Sequence, residues 1–279
     1  MDSENKHLVV SIVTPTYNRG HFIEKTIRSI KNQNYPYIEH RVVDGLSRDN
    51  TVDILKKHEG TYNLKWVSEK DHGCQNAINK GFKMLTGDIY CWLDSDDYYL
   101  PGTIEKVVTI FNNHPEVDVV FGDILYIDNN DKVIDYTKSA GYDFDRLLYM
   151  GMNLNPQSMF WRKSLHEKLG SLNEQFVRCA DYDFFLRIGV VGAKFYHIRE
   201  ALACYRHHEG QLTGSIDKVK AEWEVIGAQY KNKNLTPADI KNLKRKVLVR
   251  QAVTLIMQGD GWFVVRGILK RLNIIKSTI

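Results

Sequence analysis

Residues 88–101 read DIYCWLDSDDYYLP, and this stretch decides the fold. An apolar run, Ile89 to Leu93, stops at three carboxylates, Asp94, Asp96 and Asp97, set within four positions. A short apolar run with polar boundaries reads as a buried strand. Like charges this close repel unless something positive sits among them. The reading is therefore a core strand whose carboxyl end opens on a charged site.

The same pattern recurs outward from it. LVVSIV (8–13), IEHRVV (38–43) and LKWV (64–67) read as three further strands. Phe22, Ile23, Ile27 and Ile30 recur at helical spacing, and the helix should stop near Asn34-Tyr35-Pro36. Thr51–His58 reads as a short helix, and Ala77, Ile78, Phe82 and Leu85 as the stripe of one beginning near Cys74. Another is expected from about Pro101, since proline suits a first turn. Strand–helix alternation predicts an α/β fold, Rossmann-like, with a mostly parallel central sheet and flanking helices. Ligands of such sheets bind outside the carboxyl ends of the strands. TPTYNRG (14–20), DGLSRDNT (44–51), SEKDHG (68–73) and DSDD (94–97) all fall at such ends, so one rim should carry the site.

Farther along, residues 117–128, 132–136, 156–161 and 193–198 read as strands and Tyr182–Val190 as a helix. After Ser215 the pattern is helical, with breaks at Asn232–Asn234 and Gly259–Gly261. The net charge of +4 hides an asymmetry. Residues 216–279 carry 13 Lys and Arg against 5 Asp and Glu, while the remainder carries 25 against 29. A basic tail suggests an anionic partner, either membrane headgroups or an acidic acceptor; a helical pair packed on the body accounts for the pattern equally. No aromatic-basic motif points to nucleic acid. No apolar stretch nears the ~20 residues that span a bilayer. Residues 1–10 lack a signal-peptide layout, and the four scattered cysteines read as reduced thiols; a cytoplasmic protein is expected.

Asp94, Asp96 and Asp97 are hard-oxygen ligands suited to Mg²⁺ or Mn²⁺. The alternative is a polar loop in which Asp97 caps the following helix. Asp44 closes the second strand, and its carboxylate can accept a ring N–H from uracil or guanine alike. Pro15, Thr16 and Tyr17 form the first rim loop, where the aromatic ring can pack on a base or ribose. Neither G-x-G-x-x-G nor G-x-x-x-x-G-K-[ST] occurs, so a bound nucleotide would need a metal to neutralise its phosphates.

In this order and spacing, SIVTPTYNRG (11–20), VVDGLSRDNT (42–51), DHGCQNAINKG (71–81), GDIYCWLDSDD (87–97) and YRHHEG (205–210) resemble the inverting glycosyltransferases of family 2, which have the GT-A fold. The likeness runs from about residue 8 to 210 and implies a nucleotide-diphosphate sugar donor. It assigns Asp44 to the base, Asp96 to the metal, and Asp94 to the ribose or metal shell, with Asp97 a weaker candidate. Asp71 joins the donor side, and His208 falls near the diphosphate or metal. CADYDFFLRI (179–188) is similar to the segment that supplies the catalytic base. That implies Asp181 as base, with Asp183 the alternative; Ala180 stands where the family usually has an acid. On the acceptor side Gln157 matches, Pro156 departs from a common His, and Gly122-Asp123 matches a recurring element.

The implied organisation is a catalytic domain over 1–215 followed by a basic helical region over 216–279. Within the first, a nucleotide-sugar half covers about 1–97 and an acceptor half about 98–215. The implied reaction is metal-assisted transfer, with inversion, to a glycan or lipid-linked acceptor in bacterial polysaccharide biosynthesis, with peripheral contact at the inner membrane face. UDP is the first choice of nucleotide; GDP and dTDP are compatible. A nucleotidyltransferase should carry a glycine-rich, basic phosphate loop near the first strand. A hydrolase would not need Asp44, and a non-catalytic module would not need the carboxylates.

Overall fold

The computed structural model describes residues 7–152, 154–208 and 216–271. β1 (Val10–Thr16), α1 (Ile23–Lys31), β2 (Ile38–Asp44), α2 (Thr51–His58), β3 (Leu64–Ser68), α3 (Cys74–Phe82) and β4 (Ile89–Trp92) follow in alternation. β1, β2 and β4 are buried at every position, as parallel strands covered on both faces should be. α1 buries Ile23, Thr26, Ile27 and Ile30, the stripe its spacing predicts. The strands lie in the order β3-β2-β1-β4, all parallel, with Thr16 level with Asp44 and Asp44 level with Ser68. Their carboxyl ends therefore share one rim.

The second half extends this sheet. β5 (Tyr98–Tyr99), α4 (Thr103–Asn113), β6 (Val119–Ile127), β7 (Val133–Thr137) and α5 (Phe144–Met150) precede β8 (Met159–Arg162), α6 (Lys163–Leu169), α7 (Ala180–Val190) and β9 (Phe195–Arg206). β8 runs antiparallel between β4 and β6, and β9 lies parallel to β6. β5 and β7 add antiparallel edges on β9 and β6.

Several expectations are corrected here. Pro156–Ser158 form a 3₁₀ turn and the strand begins only at Met159, because proline has no N–H for the ladder. β9 does not stop at Ile198 but runs on to Arg206. The helix expected from Pro101 starts at Thr103, after Gly102 in the left-handed region at φ 76°. Asp97 does not cap it: its Oδ1 accepts the backbone N–H of Arg206 at 2.7 Å.

The core is aromatic where the two halves meet. Trp161 of β8 faces Trp92 of β4 and Phe184 of α7, with ring centroids 5.5 and 5.2 Å apart. Phe184, Phe185, Leu186 and Ile188 are fully buried, which anchors α7 against β4 and β8. After it come α8 (Ile216–Tyr230), α9 (Pro237–Met257) and α10 (Gly261–Arg271), broken where the sequence predicts. These helices pack on the body: Ile226 and Val247 are fully buried. Arg250 pairs with Asp143 at 2.8 Å, Lys138 with Asp260 at 2.7 Å, and Arg266 with Asp135. Part of the basic charge of this region is thus spent on internal pairs. No helix among the described residues is long and apolar enough to cross a membrane.

Candidate active site

The site is assembled from the ends of β1, β2, β3 and β4, closed by the start of α7 and the end of β9. On the nucleotide side, Asp44 is fully buried. Its Oδ2 accepts from Ser47 N at 3.0 Å and Ser68 Oγ at 2.6 Å, and its Oδ1 from the Ser47 hydroxyl. Next to it, Gly45 lets the chain pass beneath Asp71 and Tyr17. A methyl group on Gly45 would fall 2.5 Å from Asp71 Oδ2 and 3.4 Å from the Tyr17 ring. Tyr17 itself is 53% exposed and stands at the mouth, while Pro15 and Thr16 are buried in β1. The first two rim loops are laced together: Asn18 N donates to Ser47 Oγ at 2.7 Å, and Gly20 N to Asp49 Oδ2 at 3.0 Å.

On the phosphate side, the DSDD turn is held by its backbone. Thr26 Oγ1 donates to the carbonyls of Ser95 and Asp97, and Arg206 Nε to that of Asp96 at 2.9 Å. The carboxylates of Asp94 and Asp96 are thereby left to the site. Asp96 Oδ2 lies 2.9 Å from His208 Nε2 and 3.6 Å from Arg19 Nε. Asp94 Oδ2 accepts from Gln157 Nε2 at 3.3 Å. Burial, with the charges of Asp96 and Asp181, pushes Asp94 up to about 7. Asp97 is also raised, by burial and then by Asp96 and Asp94.

Four carboxylates, from the turns after β3 and β4 and from α7, bear on one thiol. Cys74, the first residue of α3, is held protonated by burial and by Asp94, Asp96, Asp71 and Asp181, in falling order of effect. Asp181 is the second residue of α7, and burial raises it to about 6 against the stabilising N–H groups at the helix start. Its Oδ1 accepts from the next residue, Tyr182 N, at 2.8 Å. Asp183 faces elsewhere: it is buried, paired with Arg187 Nε at 2.9 Å, and accepts from Tyr230 at 3.2 Å.

Asp123 is buried under its own donors, accepting from Tyr136 Oη at 3.0 Å, Ser139 N at 2.9 Å and His197 Nε2 at 2.8 Å. That is the backbone- and side-chain-satisfying role, stitching β6 to β7 and β9. Gln157, by contrast, reaches the charged centre. Arg19, Ser47, Ser68 and Glu222 were not singled out as site residues in the sequence. Arg19, Ser47 and Ser68 all lie in the rim loops, and Arg19 is the lone cation of the first of them; Glu222 carries no local signal.

The residues present fit a divalent cation. Thr16 Oγ1, Asp94 Oδ1, Asp97 Oδ2 and Gln157 Oε1 are buried oxygens without a hydrogen-bond partner. Most buried polar atoms are satisfied, so orphans gathered at one rim point to a ligand. Asp94, Asp96 and His208 would hold the ion, as one or two carboxylates suffice when phosphate and water complete the shell. Among the described residues no preformed cluster of three His, Cys, Asp or Glu side chains has metal-holding geometry.

Fold and rim together define an α/β protein with an acidic site at the carboxyl ends of its parallel strands. The profile of glycosyl transferase family 2 matches residues 11–170, more than half of the chain. The chain belongs to that family and is a glycosyltransferase. It is 28% identical over 214 residues to a PGL/p-HBAD biosynthesis glycosyltransferase of Mycobacterium bovis, covering 75% of this chain and 80% of that protein. It is likewise 28% identical over 232 residues to an uncharacterized glycosyltransferase of Rickettsia conorii, covering 80% of this chain but only 38% of that longer protein. Among solved structures, S. aureus TarS 1–349 in complex with UDP-GlcNAc superposes with TM-score 0.68 at 21% identity, over 88% of this chain and 73% of that one. The mannosyltransferase PcManGT of Pyrobaculum calidifontis, in complex with GDP-Man and Mn²⁺, gives 0.63 at 18% identity over 98% and 82%. These likenesses establish the GT-A fold.

Proposed function

We propose that the chain moves a sugar from a nucleotide-diphosphate sugar, UDP-linked by preference, to a hydroxyl of a glycan or lipid-linked acceptor, with inversion. The observation that carries this reading is the charged cluster at the rim, where Asp96 Oδ2 lies 2.9 Å from His208 Nε2 and 3.6 Å from Arg19 Nε, and Asp94 Oδ2 accepts from Gln157 Nε2 at 3.3 Å. The base sits at Asp44, with Tyr17 beside it and Asp71 over Gly45. Arg19 and His208 face the diphosphate. A Mn²⁺ or Mg²⁺ held by Asp94, Asp96 and His208 would supply positive charge where the leaving diphosphate builds negative charge.

Asp181 accepts the proton of the acceptor hydroxyl as its oxygen bonds to the anomeric carbon. The bond from that carbon to the phosphate oxygen breaks on the opposite face, and nucleoside diphosphate leaves. Burial serves this step, because a carboxylate raised to about 6 is a stronger base than an exposed one and is still ionised at neutral pH. Gln157, tied to Asp94, and Asp123 border the acceptor side. Work at the inner membrane face in polysaccharide assembly is part of the same proposal, with cytoplasmic location and peripheral contact through the region 216–279.

The test is a thermal-shift and hydrolysis screen of nucleotide sugars with Mn²⁺ present. One nucleotide sugar should raise the melting temperature and be slowly hydrolysed, and Asp96→Ala should remove both effects. A protein that binds no nucleotide sugar with Mn²⁺ present refutes the reading.

A further inference from the structure

A second basic feature lies beside the α7 helix and is not part of the nucleotide rim. A cavity of about 220 Å³ opens between α5, α8 and α9. Tyr149, Tyr182 and Trp223 form its apolar wall, and Lys220, Lys231 and Lys244 ring it, with Glu224 the one acid at its edge. The wall is well set: Trp223 packs on Gly151, where a methyl group would come within 3.2 Å of the indole, and on the Tyr182 ring at 6.0 Å. Tyr182 is locked in turn by its hydroxyl, which donates to the Leu147 carbonyl at 3.2 Å.

The charge is what needs explaining. Some cations of this part of the chain are paired within the fold: Arg250 meets Asp143, Lys138 meets Asp260 and Arg178 meets Glu222. Among the described residues Lys220, Lys231 and Lys244 have no carboxylate within ion-pair distance. Three ammonium groups sharing one small concavity repel each other and focus a positive potential into it. Lysine binds phosphate as a point charge, and three of them match a di- or trianion better than a single carboxylate. The aromatic wall beside them suits a sugar face or a hydrocarbon chain attached to that anion.

We propose that this cavity binds a phosphate or diphosphate group carried by the acceptor. This rests on the glycosyltransferase reading and deepens it. Tyr182, the residue after Asp181, is shared by the cavity wall and the base-bearing helix. An acceptor anchored there by its phosphate would present a hydroxyl at the start of α7. The acceptor class is therefore a phosphorylated or lipid-diphosphate-linked saccharide rather than a neutral glycan.

The test uses the full chain and a Lys220→Gln/Lys231→Gln/Lys244→Gln variant, whose changes lie at the protein surface. Inorganic pyrophosphate and farnesyl diphosphate are titrated calorimetrically without divalent metal, and phosphatidylglycerol vesicles are tested by co-sedimentation. Farnesyl diphosphate should bind the natural protein, with pyrophosphate competing, and the dissociation constant should rise at least about tenfold in the variant. Nucleotide-sugar hydrolysis with Mn²⁺ should be equal in both. Diphosphate binding that is absent, or unchanged by the three substitutions, overturns the proposal. So does lysine-dependent vesicle binding that pyrophosphate cannot displace, since the patch would then serve a membrane surface. Loss of nucleotide-sugar hydrolysis in the natural protein itself would instead strike the reading on which this one rests.

Discussion

His208 Nε2 lies 2.9 Å from Oδ2 of Asp96, so the end of β9 closes on the turn that follows β4. The pairing joins the first half of the chain to the second at the point where a diphosphate would lie. Asp96→Ala should abolish transfer. Excess chelator should do the same to the natural protein, with activity restored by Mn²⁺. His208→Ala should keep the fold but raise the Mn²⁺ concentration for half-activity by about tenfold or more. Metal titrations of initial rate check both, and full activity in excess chelator would remove the ion from the reaction.

Asp181 gives a prediction with two readouts. The proposed role as base requires an ionised carboxylate, so kcat/KM should fall as pH drops through about 6, to which burial raises this carboxyl. Asp181→Asn should lower kcat by about 10²–10⁴-fold and leave nucleotide-sugar binding intact. The stability effect has the opposite sign. The folded-state value lies above the ordinary 3.8, so below about 4 both states are protonated and the buried carboxyl costs nothing. Above about 6 the folded state holds a buried charge, and Asp181→Asn should then stabilise by at most about 3 kcal/mol. Melting curves at pH 4 and pH 8 measure this; a variant that gains as much stability at the lower pH contradicts the burial argument.

Asp183 separates the two candidate bases. Its carboxylate is buried against Arg187 and the Tyr230 hydroxyl, so its work is to tie α7 to α8. Asp183→Asn should cost about 1–3 kcal/mol in chemical denaturation, from a weakened buried pair. At a temperature where it is folded, its kcat should stay within a few-fold of the natural value. If Asp183→Asn were inactive and folded while Asp181→Asn turned over, the roles would have to be exchanged.

The rim was legible because its signals are local. The sequence pattern over Thr51–His58 matches the helix to the residue, and four apolar runs ending in polar turns correspond to a parallel sheet with one working edge. What escaped the sequence depends on partners far along the chain. β5 is two residues long, too short for any period, and exists because Tyr98 pairs with Cys204. β9 continues past Arg199-Glu200, a charged break in the pattern, because a register shift at Gly122/Asp123 lets β6 keep its partner. Asp181 and Asp183 look alike in sequence, two positions apart in one helix. Only the fold leaves Asp181 at the open start of α7, accepting from Tyr182 N, and locks Asp183 to Arg187.

Glu222 is the clearest case of a contact that no local pattern announces, and it carries the last prediction. The start of α7 lacks a side-chain cap, for Cys179 stands at that position. Glu222 of α8 supplies an acceptor instead: its Oε2 takes the backbone N–H of Arg178 at 2.9 Å and of Cys179 at 3.0 Å. A carboxylate at a helix N-terminus also meets the positive end of the helix dipole. Glu222→Ala leaves two N–H groups unpaired at a partly buried site, which should cost about 1–3 kcal/mol. Because those groups precede Asp181 by two and three residues, kcat should fall with stability while the nucleotide-sugar dissociation constant holds. Glu222→Gln keeps a carbonyl oxygen for the same N–H groups, so it should recover most of the melting temperature and of kcat. If Glu222→Ala melts with the natural protein and turns over at the natural rate, then α8 does not hold the base in place.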